Sequence, residues 1–227
     1  MAEQLGFDLP VRPALGRDDF LVAPPNAVAL AMLDNWRDWA LGKLVLSGPA
    51  GAGKTHLAHV WAQDAGAETV AATDLSHVAP DALATRPLAI EDVDAIADDT
   101  AAQTALFHLH NLMQAAHLPL LMTGAAAPRH WQMSLPDLQS RIDAAGHARI
   151  DAPDDTLLMA VLAKLFADRQ LAPKPDVIPY LVARMDRSFA AAAEVVAALD
   201  MASLAQKRGI TRAFAGAVLD NMGDPGA

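Results

Sequence analysis

Gly48-Pro49-Ala50-Gly51-Ala52-Gly53-Lys54-Thr55 decides the fold of this 227-residue chain. The octet matches G-x-x-x-x-G-K-[ST] at every fixed position. Its residue types have chemical reasons. Glycines let successive backbone N–H groups turn toward phosphate oxygens, and a helix that follows presents its positive N-terminal end to them. Lys54 is expected to reach the β and γ phosphates, and Thr55 to offer a hydroxyl to Mg²⁺. The flanks agree, since residues 43–47 (Lys-Leu-Val-Leu-Ser) read as a buried strand and 54–63 as a helix. The expected cofactors are ADP or ATP with Mg²⁺.

Outward from the loop, residues 87–91 form another apolar strand, in which Leu88-Ala89-Ile90 ends in Glu91 and Asp92, the form of a Walker B strand. Acids emerging at a strand's carboxyl end can hold Mg²⁺ through water and orient an attacking water. Glu91 is assigned to the metal and Asp92 to the water. Residues 118–123 form a further strand ending in Thr123. Strands at 68–72 and 148–150 and a helix at 101–116 complete an alternating pattern, which predicts a parallel five-stranded sheet covered on both faces.

Residues 1–25 are rich in Pro and Gly, the first 18 reading as a flexible arm, and an alanine-rich helix is expected over 26–41. After Pro153 the pattern becomes helical, at 154–169, 176–184, 188–207 and 211–222. The fold class is therefore α/β, a nucleotide-binding core (19–152) followed by a small helical lid (153–227).

Composition bounds the function. Apolar residues make up 53%, so a substantial core can be buried, and the net charge is −10. Phosphate neutralisation needs Lys and Arg, so so acidic a chain favours protein partners over sequence-independent grip on DNA. There is no cysteine, which excludes disulfides and thiolate metal sites. The first twenty residues lack a signal-peptide core, and no stretch approaches the roughly 20 uninterrupted apolar residues of a membrane span. A cytoplasmic protein without membrane attachment is expected. His56 with His59, and His108 with His110, give no convincing metal set, since no acid or third His stands at ligand spacing, and 108 and 110 (i, i+2) face different sides of a helix. Met113, Met122, Met133, Met159, Met185 and Met201 are expected to fill cores.

At this point the chain resembles the DnaA branch of AAA+ proteins and, within it, the Hda-like regulators, from about Asp19 to Met222. Residues 20–27 (Phe-Leu-Val-Ala-Pro-Pro-Asn-Ala) resemble the family's first box, which implies that Asn26 helps cradle adenine. Gly53-Lys54-Thr55-His56-Leu57-Ala58-His59 resembles its G-K-T-H-L-x-H continuation, which places His56 at the nucleotide. The resemblance implies a strand inserted between the loop strand and the acid strand, with Thr123 as sensor 1 toward the γ phosphate or the water. Asp137-Leu138-Gln139-Ser140-Arg141 resembles the segment ending in the arginine finger, so Arg141 would act in trans on a neighbour's γ phosphate, as an always-charged fork suits. Residues 198–203 and 210–211 resemble the closing helices of Hda-like lids.

Three departures stand out. DnaA proper ends in a basic helix-turn-helix domain and this chain stops at Ala227, so direct sequence-specific DNA binding is not expected. Ala190 occupies the sensor 2 arginine position, with Arg184 and Arg187 one turn upstream as substitutes. Gly124-Ala125 stands where the family usually has an acid. These weaken the expectation of intrinsic ATP hydrolysis more than that of nucleotide binding.

Gln4-Leu5-Gly6-Phe7-Asp8-Leu9 resembles peptides that dock on the bacterial sliding clamp, with Gln4 as the polar contact and Leu5, Phe7 and Leu9 as anchors. The leading expectation is a regulator of replication initiation. Held on the DNA polymerase sliding clamp, it would place Arg141 beside ATP on the AAA+ domain of a DnaA initiator, promote hydrolysis and repress re-initiation. The alternatives are a helicase-loader or transposition-adaptor ATPase of the same branch, or a P-loop kinase. Self-association into a homodimer stays open.

Overall fold

The computed structural model describes residues 21–222, so Gln4, Leu5, Phe7 and Leu9 lie outside the described residues. Helix α1 (Ala27–Asp34) leads through two 3-10 turns into β1 (Lys43–Ser47). Then come α2 (Lys54–Ala65), β2 (Glu68–Ala71), α3 (Pro80–Leu83), β3 (Leu88–Glu91), α4 (Thr100–Ala115), β4 (Leu120–Gly124), α5 (Pro136–Asp143) and β5 (Gly146–Arg149). All five strands are parallel, in the order β2-β3-β4-β1-β5. The inserted strand β4 therefore separates the loop strand from the acid strand, and the carboxyl ends of all three share one rim.

Parallel strands buried on both faces read as continuous apolar runs, and β1 and β4 are buried throughout. One face packs Val45, Ile90 and Met122 against Leu106, Leu109 and Met113 of α4 and Leu138 and Ile142 of α5. The other packs Leu44, Leu46 and Leu121 against Leu30 and Leu33 of α1 and Leu57 and Trp61 of α2. The lid is formed by α6 (Asp155–Asp168), α7 (Val177–Val182), α8 (Phe189–Gln206) and α9 (Arg212–Met222). Its separate core centres on Leu158, Leu162, Phe166, Val195, Leu199 and Phe214. Four helices start on side-chain caps, Asp99 for α4, Asp154 for α6, Ser188 for α8 and Thr211 for α9, each worth about 1 kcal/mol.

Some sequence expectations need correction. The helix expected over 26–41 stops at Asp34, where Asn35 Nδ2 caps the Ala31 carbonyl. Trp39 then stacks on Trp61 at 5.2 Å, and Leu41 turns left-handed at φ 56°, so aromatic packing overrides the alanine-rich propensity. Strand β5 starts earlier than expected, because its Gly146 already pairs with Leu44. Helix α5 escaped the periodicity reading, since only Leu138 and Ile142 of its eight residues are buried. Met113, Met122 and Met133 fill the core, but Met159 is exposed and Met201 is 68% exposed. Among the described residues one helix, α8, is long and apolar enough to cross a membrane, with a mean hydropathy of 1.3. It packs Ala192, Val195, Val196 and Leu199 into the lid core.

Candidate nucleotide-binding site

The glycine loop is fixed by backbone requirements. Gly51 and Gly53 hold φ of 70° and 96°, in the region glycine adopts without steric cost. At Gly48 a Cβ would lie 2.6 Å from the Ile150 carbonyl oxygen, so only glycine lets the loop leave β1 beside the end of β5. The Lys54 ammonium is buried and donates to the Gly48 and Pro49 carbonyls at 2.8 and 3.2 Å, which centres it inside the loop. Thr55, exposed, and His56, half-buried, lie on the first turn of α2.

The acids stand on the same rim. Glu91 ends β3, and its Oε1 is buried without a hydrogen-bond partner among the described residues. A buried carboxylate oxygen that the protein leaves unsatisfied suits a metal-bound water, so Glu91 and Thr55 fit Mg²⁺ carried by a nucleotide. Asp92 adopts φ 53° and donates its backbone N–H to Thr123 Oγ1 at 3.0 Å, while its carboxylate side faces solvent. Thr123 is buried, and this bond ties the end of β4 to the end of β3. Sequence reading missed Asp94, whose Oδ2 accepts from Ala125 N at 2.8 Å. A carboxylate thus reaches the segment where Gly124-Ala125 replaces the family's acid. Gly124 itself is imposed by Trp131, whose ring lies 2.5 Å from where a Cβ would stand. At the root of the loop Ser47 Oγ and His147 Nε2 are 2.7 Å apart, and burial, with Arg129 and Arg149 nearby, lowers the His147 pKa.

Asn26 is buried, and its amide shapes the chain rather than reaching outward. Oδ1 accepts from Ala23 N, and Nδ2 donates to the Leu21 carbonyl, both at 2.9 Å. The lid meets the loop directly, as Phe189 N donates to the Gly51 carbonyl at 2.8 Å. The Ala190 Cβ lies 3.6 Å from where a Gly51 Cβ would stand, so the sensor 2 position faces the loop with a methyl group. Both upstream arginines are paired with lid acids. Arg187 pairs with Asp155 at 2.8 Å, and Arg184 pairs with Asp220 at 3.4 Å and lies over Tyr180. Sequence offered no signal for this lid contact, because it depends on tertiary approach.

Arg141 lies apart from this rim. Its guanidinium sits 4.9 Å over the Phe107 ring, and it forms no ion pair with Asp137 or Asp143. Its charge acts on Lys43, the first residue of β1, and on His110. Strands rise about 3.3 Å per residue, so Lys43 lies roughly 16 Å from Gly48 along β1. Arg141 therefore does not converge on its own chain's loop. Lys43 is wholly buried, with Nζ 3.1 Å from both His110 Nδ1 and Gln114 Oε1 and no carboxylate partner among the described residues. Burial, with Arg141 second, lowers its pKa to about 8, and burial with Lys43 and Arg141 lowers that of His110 to about 4.

Comparison with known proteins agrees with this geometry. Residues 155–219 match the model of the Hda lid domain family. The lid of this chain is thus similar to that of the Hda family. Domain III of the Thermotoga maritima replication initiation protein DnaA superposes with a TM-score of 0.81 at 18% identity, over 94% of this chain and 98% of that one. DnaA bound to AMPPCP and single-stranded DNA matches with a TM-score of 0.74 at 17% identity, over 86% and 68%. AMPPCP-bound DnaA from Aquifex aeolicus matches at 0.66 and 18%, over 78% and 62%. At such identities these structures establish the AAA+ fold, with its parallel five-stranded sheet and helical lid.

Proposed function

We propose that this protein binds ADP or ATP with Mg²⁺ and acts in the cytoplasm as an activating partner. Docked on the sliding clamp through Gln4, Leu5, Phe7 and Leu9, it stimulates ATP hydrolysis by the AAA+ domain of DnaA and so represses re-initiation. Nucleotide would lie along residues 48–55, with Lys54 on the phosphates, Thr55 and Glu91 on the metal side, His56 toward the nucleoside, and Asn26 acting only by holding the 21–26 turn. It supplies the polyphosphate charge around which core and lid close.

The single observation that carries the trans role is the placement of Arg141. Its guanidinium is half-exposed, unpaired by a carboxylate among the described residues and remote from its own loop, so its use is on a phosphate held by a neighbour. The related lid and fold make a DnaA AAA+ domain the natural neighbour. Weak intrinsic hydrolysis follows from Ala190 facing the loop and from the commitment of Arg184 and Arg187 to lid acids. Asp92 and Thr123 are the groups assigned to order a water. The test measures ATP hydrolysis by DnaA with clamp loaded on DNA. Added protein should raise the rate, and its Arg141→Ala form should lose about 10³-fold of that stimulation. Equal rates with and without the protein would reject the proposal.

A further inference from the structure

Gln103, on α4, is wholly buried, and every hydrogen-bonding group of its side chain is used. Its Nε2 donates to the Ile96 and Ala97 carbonyls at 2.9 and 2.6 Å. Its Oε1 accepts from Ser134 Oγ and Leu135 N, both at 3.0 Å. One amide thereby joins two segments that the chain keeps far apart. The first is the 3-10 turn Val93–Ile96, which follows Glu91 and Asp92. The second is the stretch 125–135 that leads into α5. That stretch is gripped at its start as well, because Asp94 of the same turn accepts from Ala125 N at 2.8 Å. Helix α5 needs such a tether. Only Leu138 and Ile142 of its eight residues are buried, an apolar seat too narrow to fix its direction. Its N-cap position is Leu135, which has no polar side chain to cap the helix. Gln139 adds a second amide knot, accepting from Met133 N at 3.1 Å and donating to the Pro128 carbonyl at 3.0 Å.

From this geometry we infer that Gln103 is a positioning residue for Arg141. The inference rests on the trans role proposed above. Gln103 acts through α5 and touches no phosphate itself. Arg141 stands about 9 Å along α5 from Leu135. Phe107, whose ring lies under the Arg141 guanidinium, follows Gln103 by four residues, so one face of α4 supports both the start of α5 and its arginine. Without the amide, the Ile96 and Ala97 carbonyls, the Ser134 hydroxyl and the Leu135 N–H lose their buried partner, and the two segments part to reach water. The start of α5 then tilts, and Arg141 with it. A displacement of about 1 Å at a reacting group can cost roughly 100-fold in rate. An arginine that acts on a transition state alters the maximal rate rather than the affinity of the complex. Loss of the tether is therefore read in the maximum of stimulation and not in the concentration that reaches half of it.

The chain has no cysteine, so Arg141→Cys carries a single nitroxide label at the position itself. Electron paramagnetic resonance should show this label ordered in the otherwise wild-type chain and clearly more mobile with Gln103→Met added. Ser134→Ala, at an exposed position, removes one of the amide's bonds and should loosen the label less. With Arg141 in place, Gln103→Met should lower the maximal stimulation of DnaA hydrolysis about ten-fold or more, and move the half-maximal concentration by less than about two-fold. Ser134→Ala should lower the maximum about three-fold, and the double variant should match Gln103→Met alone, since both changes remove the same bond. Gln103→Glu donates to the two carbonyls only when protonated, so its stimulation relative to the wild type should rise as pH falls from about 8 to about 6. Should Gln103→Met fail to fold, Ser134→Ala and Gln103→Glu carry the test. A label unchanged in mobility overturns the inference, as does an unchanged maximum, with or without a shift in the half-maximal concentration. Undiminished stimulation by Arg141→Ala is a different failure. It removes the trans role, while the label alone decides whether Gln103 sets the placement of residue 141.

Discussion

Replacing Gly51 by alanine should unlatch the lid from the glycine loop. At φ 70° an alanine pays about 1 kcal/mol of backbone strain. Its Cβ would also stand 2.4 Å from Ser188 Cβ and 2.7 Å from Ser188 Oγ. Ordinary carbon contacts begin near ~3.5 Å, so the start of α8 must retreat by about 1 Å. The Phe189–Gly51 bond, now 2.8 Å, then lengthens beyond hydrogen-bonding range, a loss of about another 1 kcal/mol. Together these destabilise the closed lid by about 2 kcal/mol, roughly a thirty-fold change in its population. Hydrogen exchange reads this directly, as faster exchange of the Phe189 amide, and calorimetry should show ADP bound more weakly. Adding Ser188→Gly removes both clashing atoms and should recover most of the closure, less the lost cap of α8. The reasoning fails if Gly51→Ala leaves the exchange of Phe189 unchanged, or if Ser188→Gly rescues nothing.

Other expectations follow from the same geometry. Lys43 is held near pKa 8, so the unfolded chain binds more protons than the folded one between about pH 8 and 10.5, and stability rises with pH there. The full rise is up to roughly 3 kcal/mol. Urea unfolding at pH 7.5 and 10 should show that rise in the wild type and its absence in Lys43→Met. Asn26→Ala removes two bonds that shape the 21–26 turn and should cost about 2 kcal/mol, seen as a lower urea midpoint with an unchanged slope. Glu91→Gln keeps the shape of the site but not its charge. It should reduce the gain in ATP affinity that Mg²⁺ provides, while metal-free ADP binding stays as it was.

The sequence was most legible where chemistry constrains residue type. The octet 48–55, the acids after Leu88-Ala89-Ile90, and the apolar runs of β1 and β4 each announce a buried strand ending at a ligand-facing turn. The inserted place of β4 was implied only by resemblance, since strand order is not written in local pattern. Features fixed by tertiary approach were not legible. Gly51 looks like any loop glycine until Ser188 is seen against it. Lys43 looks like a strand's solvent-facing first residue, yet its ammonium is buried with His110 and Gln114. The exposure of Met201 was equally hidden, because composition cannot distinguish a packed face of α8 from a free one.

The claim beneath all of this is that the loop 48–55 holds a nucleotide polyphosphate through Lys54 and the start of α2. Titration calorimetry of the purified protein with ADP and Mg²⁺, beside its Lys54→Ala form, tests it most directly. Saturable one-to-one binding by the wild type, weakened at least ten-fold in Lys54→Ala, is the predicted result. No heat of binding from a folded wild type, or equal affinity in the two proteins, would contradict it.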